Sequence, residues 1–299
     1  MMHFFMKLYE LGAIWFLLSY YINESSANDE IENHPNLNLL PKVCGNINED
    51  YTISDKPHFE EFPWMALIFN SESDKEEKFL SSGTLINSRY VLTLVECTDI
   101  DHYNARSVRI GEYNINTESD CEDEGGDTIC ALPAQDIRVQ KVDRSSDCHE
   151  NASFFTNCVA LLRLEKAVDF KKPNAGAICL PMARDLLSRN LSGLRGTLAG
   201  WGLSNNPNTL RKSSSTVVSE VKCMEYIRTR NVDKLLNTVC VKSSKHFEIG
   251  APLMIKTDHI GYKRYTQYGI LSTGLQDSDI NIFVDITKYM KWILDTIKV

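Results

Sequence analysis

The sequence predicts an all-β fold of the sandwich or barrel type, finished by one helix at the C-terminus. Three observations carry this expectation. Short apolar runs bounded by turns recur from about Glu60 onward, at 64–69, 90–93, 160–162, 197–200 and 268–271, each of strand length and rich in β-forming residues. Helical spacing occurs only near the end of the chain, where Ile286, Tyr289, Met290, Ile293 and Ile297 recur on one face. Nine cysteines accompany an N-terminus with the features of a secretion signal, so a disulfide-bonded domain is expected.

Taken in order, the first element is that signal. Lys7 gives a small positive region, 11–18 is an apolar core too short to span a bilayer, and Ser25 and Ala27 sit two apart as a cleavage site. A signal peptide over 1–27 is expected, with an N-terminal membrane anchor as the rival reading. Residues 28–50 are polar and predict an extended lead-in with no core of its own. The folded domain is expected over 51–299. With 43% apolar and 24% charged residues the chain has ordinary globular composition. Its net charge of −8 argues against nucleic acid and anionic membrane as partners. Secretion makes the Asn151-Ala152-Ser153 and Asn190-Leu191-Ser192 sequons candidates for glycosylation at Asn151 and Asn190.

Several segments fall in a recognisable order. They are Glu61-Phe62-Pro63-Trp64-Met65-Ala66-Leu67, the run 83–93 ending Tyr90-Val91-Leu92-Thr93, Val108-Arg109-Ile110-Gly111-Glu112-Tyr113-Asn114, Ala160-Leu161-Leu162-Arg163-Leu164, Ile178-Cys179-Leu180-Pro181 and Ala199-Gly200-Trp201-Gly202. Together with Tyr289-Met290-Lys291-Trp292-Ile293 near the C-terminus, they resemble the trypsin/chymotrypsin-like serine proteases, above all the arthropod subgroup that often carries a clip domain. The resemblance covers about 44–299. It implies two six-stranded antiparallel β-barrels with a C-terminal α-helix. Cys44 is the only cysteine before the barrels, so no multi-cysteine clip domain is expected ahead of it.

The family's chemistry needs a serine nucleophile, a histidine to take its proton and an aspartate to hold the histidine. Each motif is present here with its reactive residue exchanged. Thr93-Leu94-Val95-Glu96-Cys97 places Glu96 where the histidine belongs. Asn157-Cys158-Val159-Ala160-Leu161-Leu162 places Cys158 at the aspartate. Phe247-Glu248-Ile249-Gly250-Ala251-Pro252-Leu253 places Ile249 at the nucleophile, Glu248 at the buried aspartate and Phe247 at the glycine of the oxyanion hole. A bulky ring at that glycine is expected to stand where a substrate carbonyl would approach. The start of the domain, near Tyr51-Thr52-Ile53-Ser54, follows Glu49-Asp50, so a trypsin-like activator has no basic residue to cut after. The stretch from Cys240 to Gly250 is also shorter than the family's specificity-pocket wall and lacks its cysteine. A thiol of Cys158 beside Glu96 would be disfavoured as a nucleophile, since a neighbouring carboxylate raises its pKa. Cys148, His149 and Cys158 lack zinc-ligand spacing.

The resemblance also implies disulfides Cys44–Cys179, Cys223–Cys240 and Cys121–Cys130. Ser81 stands where the usual partner of Cys97 would be, which leaves Cys97, Cys148 and Cys158 for one bridge. Cys148–Cys158 and Cys97–Cys158 both remain open. Glu112, Asn114 and Glu122, with the acidic run around them, lie where some family members hold Ca²⁺, so calcium is the one candidate cofactor against a solvated acidic loop. The expected function is that of a secreted, non-catalytic protease homologue. It would bind extracellular proteins, active proteases among them, as a cofactor or regulator of innate immune cascades. The alternative is an active secreted endopeptidase of unusual mechanism.

Overall fold

The computed structural model describes residues 28–48, 56–71, 78–100, 103–124, 126–145, 158–202, 208–229, 237–259, 261–274 and 278–299. The signal segment 1–27, the 49–55 start of the domain, Asn151 and Cys148 lie outside them. In chain order the first strands are β1 (Met65–Ser71), β2 (Lys78–Asn87), β3 (Tyr90–Leu94), the two-residue β4 (Asp99–Ile100) and β5 (Tyr103–Ile110). A separate hairpin, β6 (Cys121–Glu124) with β7 (Asp127–Cys130), is tied across its ends by the Cys121–Cys130 disulfide. Then come β8 (Gln135–Arg144) and β9 (Val159–Leu164). The order β1-β2-β3-β9-β8-β5 closes into a barrel through antiparallel pairing of β1 with β5. The second barrel is β10 (Arg195–Gly200), β11 (Arg211–Val217), β12 (Thr238–Ser243), β15 (Ile280–Asp285), β14 (Tyr262–Gly274) and β13 (Pro252–His259), in that spatial order.

The burial pattern explains why these segments are strands. In β3 all five residues are buried, as a continuous apolar run predicts for a strand covered on both faces. In β11 burial alternates, with Ser213, Ser215 and Val217 inward and Ser214 and Thr216 outward. The barrels meet through an aromatic cluster in which Phe62, Trp64 and Tyr265 lie 5.9–6.0 Å apart by ring centroids. The Trp64 indole donates to Met254 Sδ at 3.2 Å, and the Thr84 hydroxyl donates to Gln267 Oε1 at 2.6 Å. These contacts fix one barrel against the other, and the site depends on that.

At the C-terminus Asp285 caps the turn Ile286–Tyr289 by accepting from the Thr287 amide at 2.9 Å, and the helix Met290–Thr296 follows. Ile286, Tyr289, Met290, Ile293 and Ile297 are all buried, as their spacing predicted.

The lead-in differs from its expectation. Residues 28–32 are helical, Pro35–Leu39 form a 3₁₀ helix, and Ile31 and Leu40 are buried in the main core. Asn36 donates to the Leu294 carbonyl at 2.8 Å, His34 meets Asp295 at 3.0 Å and Glu30 meets Lys291 at 2.9 Å. The segment is polar in composition, but its polar groups meet partners that exist only once the C-terminal helix has formed. Cys44, just beyond, is tied to Cys179 across 135 residues of sequence. Cys223–Cys240 joins the helix Glu220–Thr229 to β12.

Candidate functional site

Glu96 lies in the 3₁₀ turn Val95–Cys97 directly after β3 and is half-buried. β3 pairs with β9 in the register Leu94↔Val159, and the Val95 amide donates to the Cys158 carbonyl at 2.9 Å. Glu96 and Cys158 therefore share one end of the first barrel. Ile249 comes from the second barrel, in the turn before β13, and its carbonyl accepts from the Ser82 amide on β2 at 3.1 Å. Gly250 fixes this junction. Its φ is +94°, and a Cβ there would lie 1.8 Å from the Ser82 carbonyl oxygen, so no other residue fits without moving β2. The three positions singled out from the sequence thus come together where the barrels meet.

What they can do chemically is limited. Ile249 is 39% exposed and offers neither a proton nor a lone pair. Cys158 is buried and disulfide-bonded, so it supplies no thiolate. Cys97 is free, which excludes the Cys97–Cys158 pairing. The Cys97 thiol is itself fully buried, and desolvation pushes its pKa up to about 11 against the hydrogen bonds around it. Such a thiol is inert at neutral pH. Ser81 and Asn70 pack against it, reaching its carbonyl at 3.4 and 3.3 Å.

Phe247 departs from its expectation. It is 3% exposed and belongs to the second barrel's core cluster with Leu198, Leu253 and Phe283. The ring packs inward instead of projecting into an open oxyanion hole, because burying an aromatic ring is worth about 2–3 kcal/mol. Glu248 is also buried. Its two oxygens accept from the backbone amides of Trp201 (3.1 Å) and Gly202 (2.7 Å). Burial pushes its carboxyl pKa up, opposed by those amide hydrogen bonds. Sequence reasoning placed Glu248 but missed this cradle, for which the added methylene over aspartate was the only signal.

Each of the candidate calcium residues has a partner within the protein. Glu112 accepts from the Tyr113 amide at 3.0 Å and pairs with Arg109 at 3.2 Å. Its carboxyl pKa is raised first by burial and then by the charge of Asp120. Asn114 accepts from the Asn116 amide, and Glu122 pairs with Lys56 at 2.9 Å. Two protein cations thus already face these carboxylates. Among the described residues, the one grouping at metal-ligand distances is Cys44, Cys179 and His259, where the two sulfurs are bonded to each other. Asn190 is exposed and accepts from the Ser192 amide at 2.9 Å.

Over residues 54–293 the chain matches the family model described as Trypsin. The chain belongs to the trypsin family. CLIP domain-containing serine protease B9 of Anopheles gambiae is 31% identical over 260 residues, 80% of this chain and 61% of that protein. Serine protease grass of Drosophila melanogaster is 28% identical, over 78% of this chain and 64% of that one. The chain therefore spans less than two thirds of the length of these two relatives. Phenoloxidase-activating factor 3 of Holotrichia diomphalia is 25% identical over 86% of this chain and 75% of its own. The crystal structure of the Drosophila Grass clip serine protease superposes with a TM-score of 0.73 at 25% identity, covering 89% of this chain and 76% of that one. The trypsin fold of two barrels is thereby matched in sequence and in structure.

Proposed function

We propose that this chain is a secreted, non-catalytic member of the trypsin family that acts by binding proteins, as a cofactor or regulator of extracellular protease cascades in innate immunity. The observation that carries the reading is Ile249 in the nucleophile's turn. Gly250 holds that turn in the required conformation, yet the side chain at its apex cannot be acylated. Glu96 and the disulfide-bonded Cys158 support it, since the histidine base and the carboxylate that would orient it are replaced at both positions. The immune setting rests on relatives whose names place them there, a Grass protease of the Toll pathway and a phenoloxidase-activating factor.

The alternative of an unusual endopeptidase needs a nucleophile. The two cysteines nearest the vacated triad are a disulfide and a buried thiol with its pKa near 11, which weighs against it. The test is incubation of the purified secreted protein with a biotinylated fluorophosphonate and a mixed peptide-ester library. No labelling and no turnover are expected. Stoichiometric labelling of the 247–253 peptide would overturn the proposal.

A further inference from the structure

A cavity of about 660 Å³ lies on the second barrel, and Glu96, Cys158 and Ile249 are not among its lining residues. Arg195 on β10, Lys212 on β11 and Lys256 on β13 point cationic groups to it, joined by Arg189 and Lys245. One carboxylate, Glu61, faces these five cations. Lys212 already neutralises it, with Nζ 2.8 Å from each carboxylate oxygen and both side chains largely buried. No carboxylate pairs with the other four cations among the described residues. In a chain of net charge −8, this concentrates uncompensated positive charge in one concave place.

The rest of the lining narrows the ligand. Thr197, Ser214 and Ser244 bring hydroxyl groups to the lining, beside the apolar Met254 and Ile255. Guanidinium forks, ammonium groups and hydroxyls together suit a tetrahedral oxoanion, which accepts from several donors at once. The walls oppose an extended peptide. β10 is paired on both sides, with β11 and β13, β11 is also paired with β12, and β13 with β14, so no strand edge is open for a peptide to extend. The volume lies within the range that takes small ligands. It exceeds what one isolated sulfate ion needs.

We propose that this basic cavity binds a short sulfated saccharide, with its sulfate esters held by Arg189, Arg195, Lys245 and Lys256. The site is separate from the vacated triad and does not depend on the loss of catalysis. It would let an acidic protein attach to a sulfated matrix or to a sulfated partner.

The experiment is fluorescence-anisotropy titration of the full chain with a labelled heparin-type hexasaccharide, in low salt and then at 200 mM. Binding is expected to weaken by about tenfold or more with salt, as for other polyanion contacts. The desulfated hexasaccharide should not bind. Arg195→Ser with Lys256→Ser, both exposed, should weaken binding about tenfold while the unfolding midpoint stays unchanged. Arg106→Ser with Arg138→Ser, on the other barrel, should leave binding intact. Three results would each overturn the proposal: no binding at low salt, affinity unaffected by the R195S/K256S pair, or equal competition by a hexaglutamate peptide. Displacement by inorganic sulfate at the saccharide's own concentration would also overturn it, since a simple anion would then suffice.

Discussion

Replacing Glu248 by alanine tests how this protein holds its junction together. In the wild type the carboxylate accepts from the Trp201 and Gly202 amides, all within a buried environment. Glu248→Ala orphans both donors, and each unsatisfied buried N–H costs about 1–3 kcal/mol. The emptied space adds a cavity cost, so a loss of about 4 kcal/mol is expected. For a domain of this size that is a fall in Tm of roughly 8–16 °C.

The pH dependence gives a second, independent reading. The folded-state pKa of Glu248 is raised above its ordinary 4.5, chiefly by burial. Below that value both folded and unfolded chains carry the proton, and the group costs nothing. As pH rises through 4.5 and on through the raised folded value, the unfolded state loses its proton first, and stability falls. E248A lacks this group, so the stability difference between wild type and variant should be largest at acid pH and shrink on the way to neutrality. Urea denaturation followed by tryptophan fluorescence between pH 4 and 8 measures both effects. A variant within about 1 kcal/mol of wild type would refute the cradle argument, and a difference that grows with pH would refute the claim that burial outweighs the amide hydrogen bonds in setting this pKa.

Two further outcomes are expected. Cys97, with its pKa near 11, is about one part in ten thousand thiolate at neutral pH. Peptide mass spectrometry should find it unlabelled by iodoacetamide in the native protein and alkylated after unfolding, and rapid native labelling would contradict its burial. Ile31→Ala should destabilise the chain by about 2–3 kcal/mol because Ile31 is packed in the main core, whereas Asp295→Asn should cost under about 1 kcal/mol since that ion pair is half exposed. Chemical denaturation of the two variants decides between apolar docking and ion pairing as the tie that holds the lead-in, and a larger effect for D295N would reverse the assignment.

Much of this was legible in the sequence, for identifiable reasons. β3 and β9 announced themselves because a strand buried on both faces leaves an unbroken apolar run. The place of the candidate site was legible because Thr93, Gly250 and Pro252 frame Glu96 and Ile249 in the sequence. The lead-in was not, since Ile31 stands between Glu30 and Glu32 and the C-terminal helix that Glu30, His34 and Asn36 contact lies more than 240 positions away. The direction of Phe247 was illegible for a related reason. A ring beside a turn can face either way, and only the second barrel's interior decides. The Arg109–Glu112 and Lys56–Glu122 pairs bring together groups on different segments, so an acidic run alone reads equally as an ion site or a solvated loop.

The arrangement also separates the residues that hold this fold from the positions at which a trypsin-like site does its chemistry. The atoms that perform acyl transfer in a trypsin-like site sit at the surface of the barrel junction, where they add little to the core. Ile249 is 39% exposed and Glu96 is half-buried, and substitutions at such places usually change stability by less than about 0.5 kcal/mol. The atoms that hold the site's shape are different ones. Gly250 admits no side chain against Ser82, Thr93 donates to the Ser82 carbonyl at 2.8 Å, and Ala251 and Leu253 are fully buried. Changing any of these would open a cavity, force a clash or orphan a buried group, at a cost of several kcal/mol. The two sets can therefore drift independently. The junction between the barrels keeps its geometry, and the proposed role as a protein-binding homologue needs that surface and not the reacting atoms.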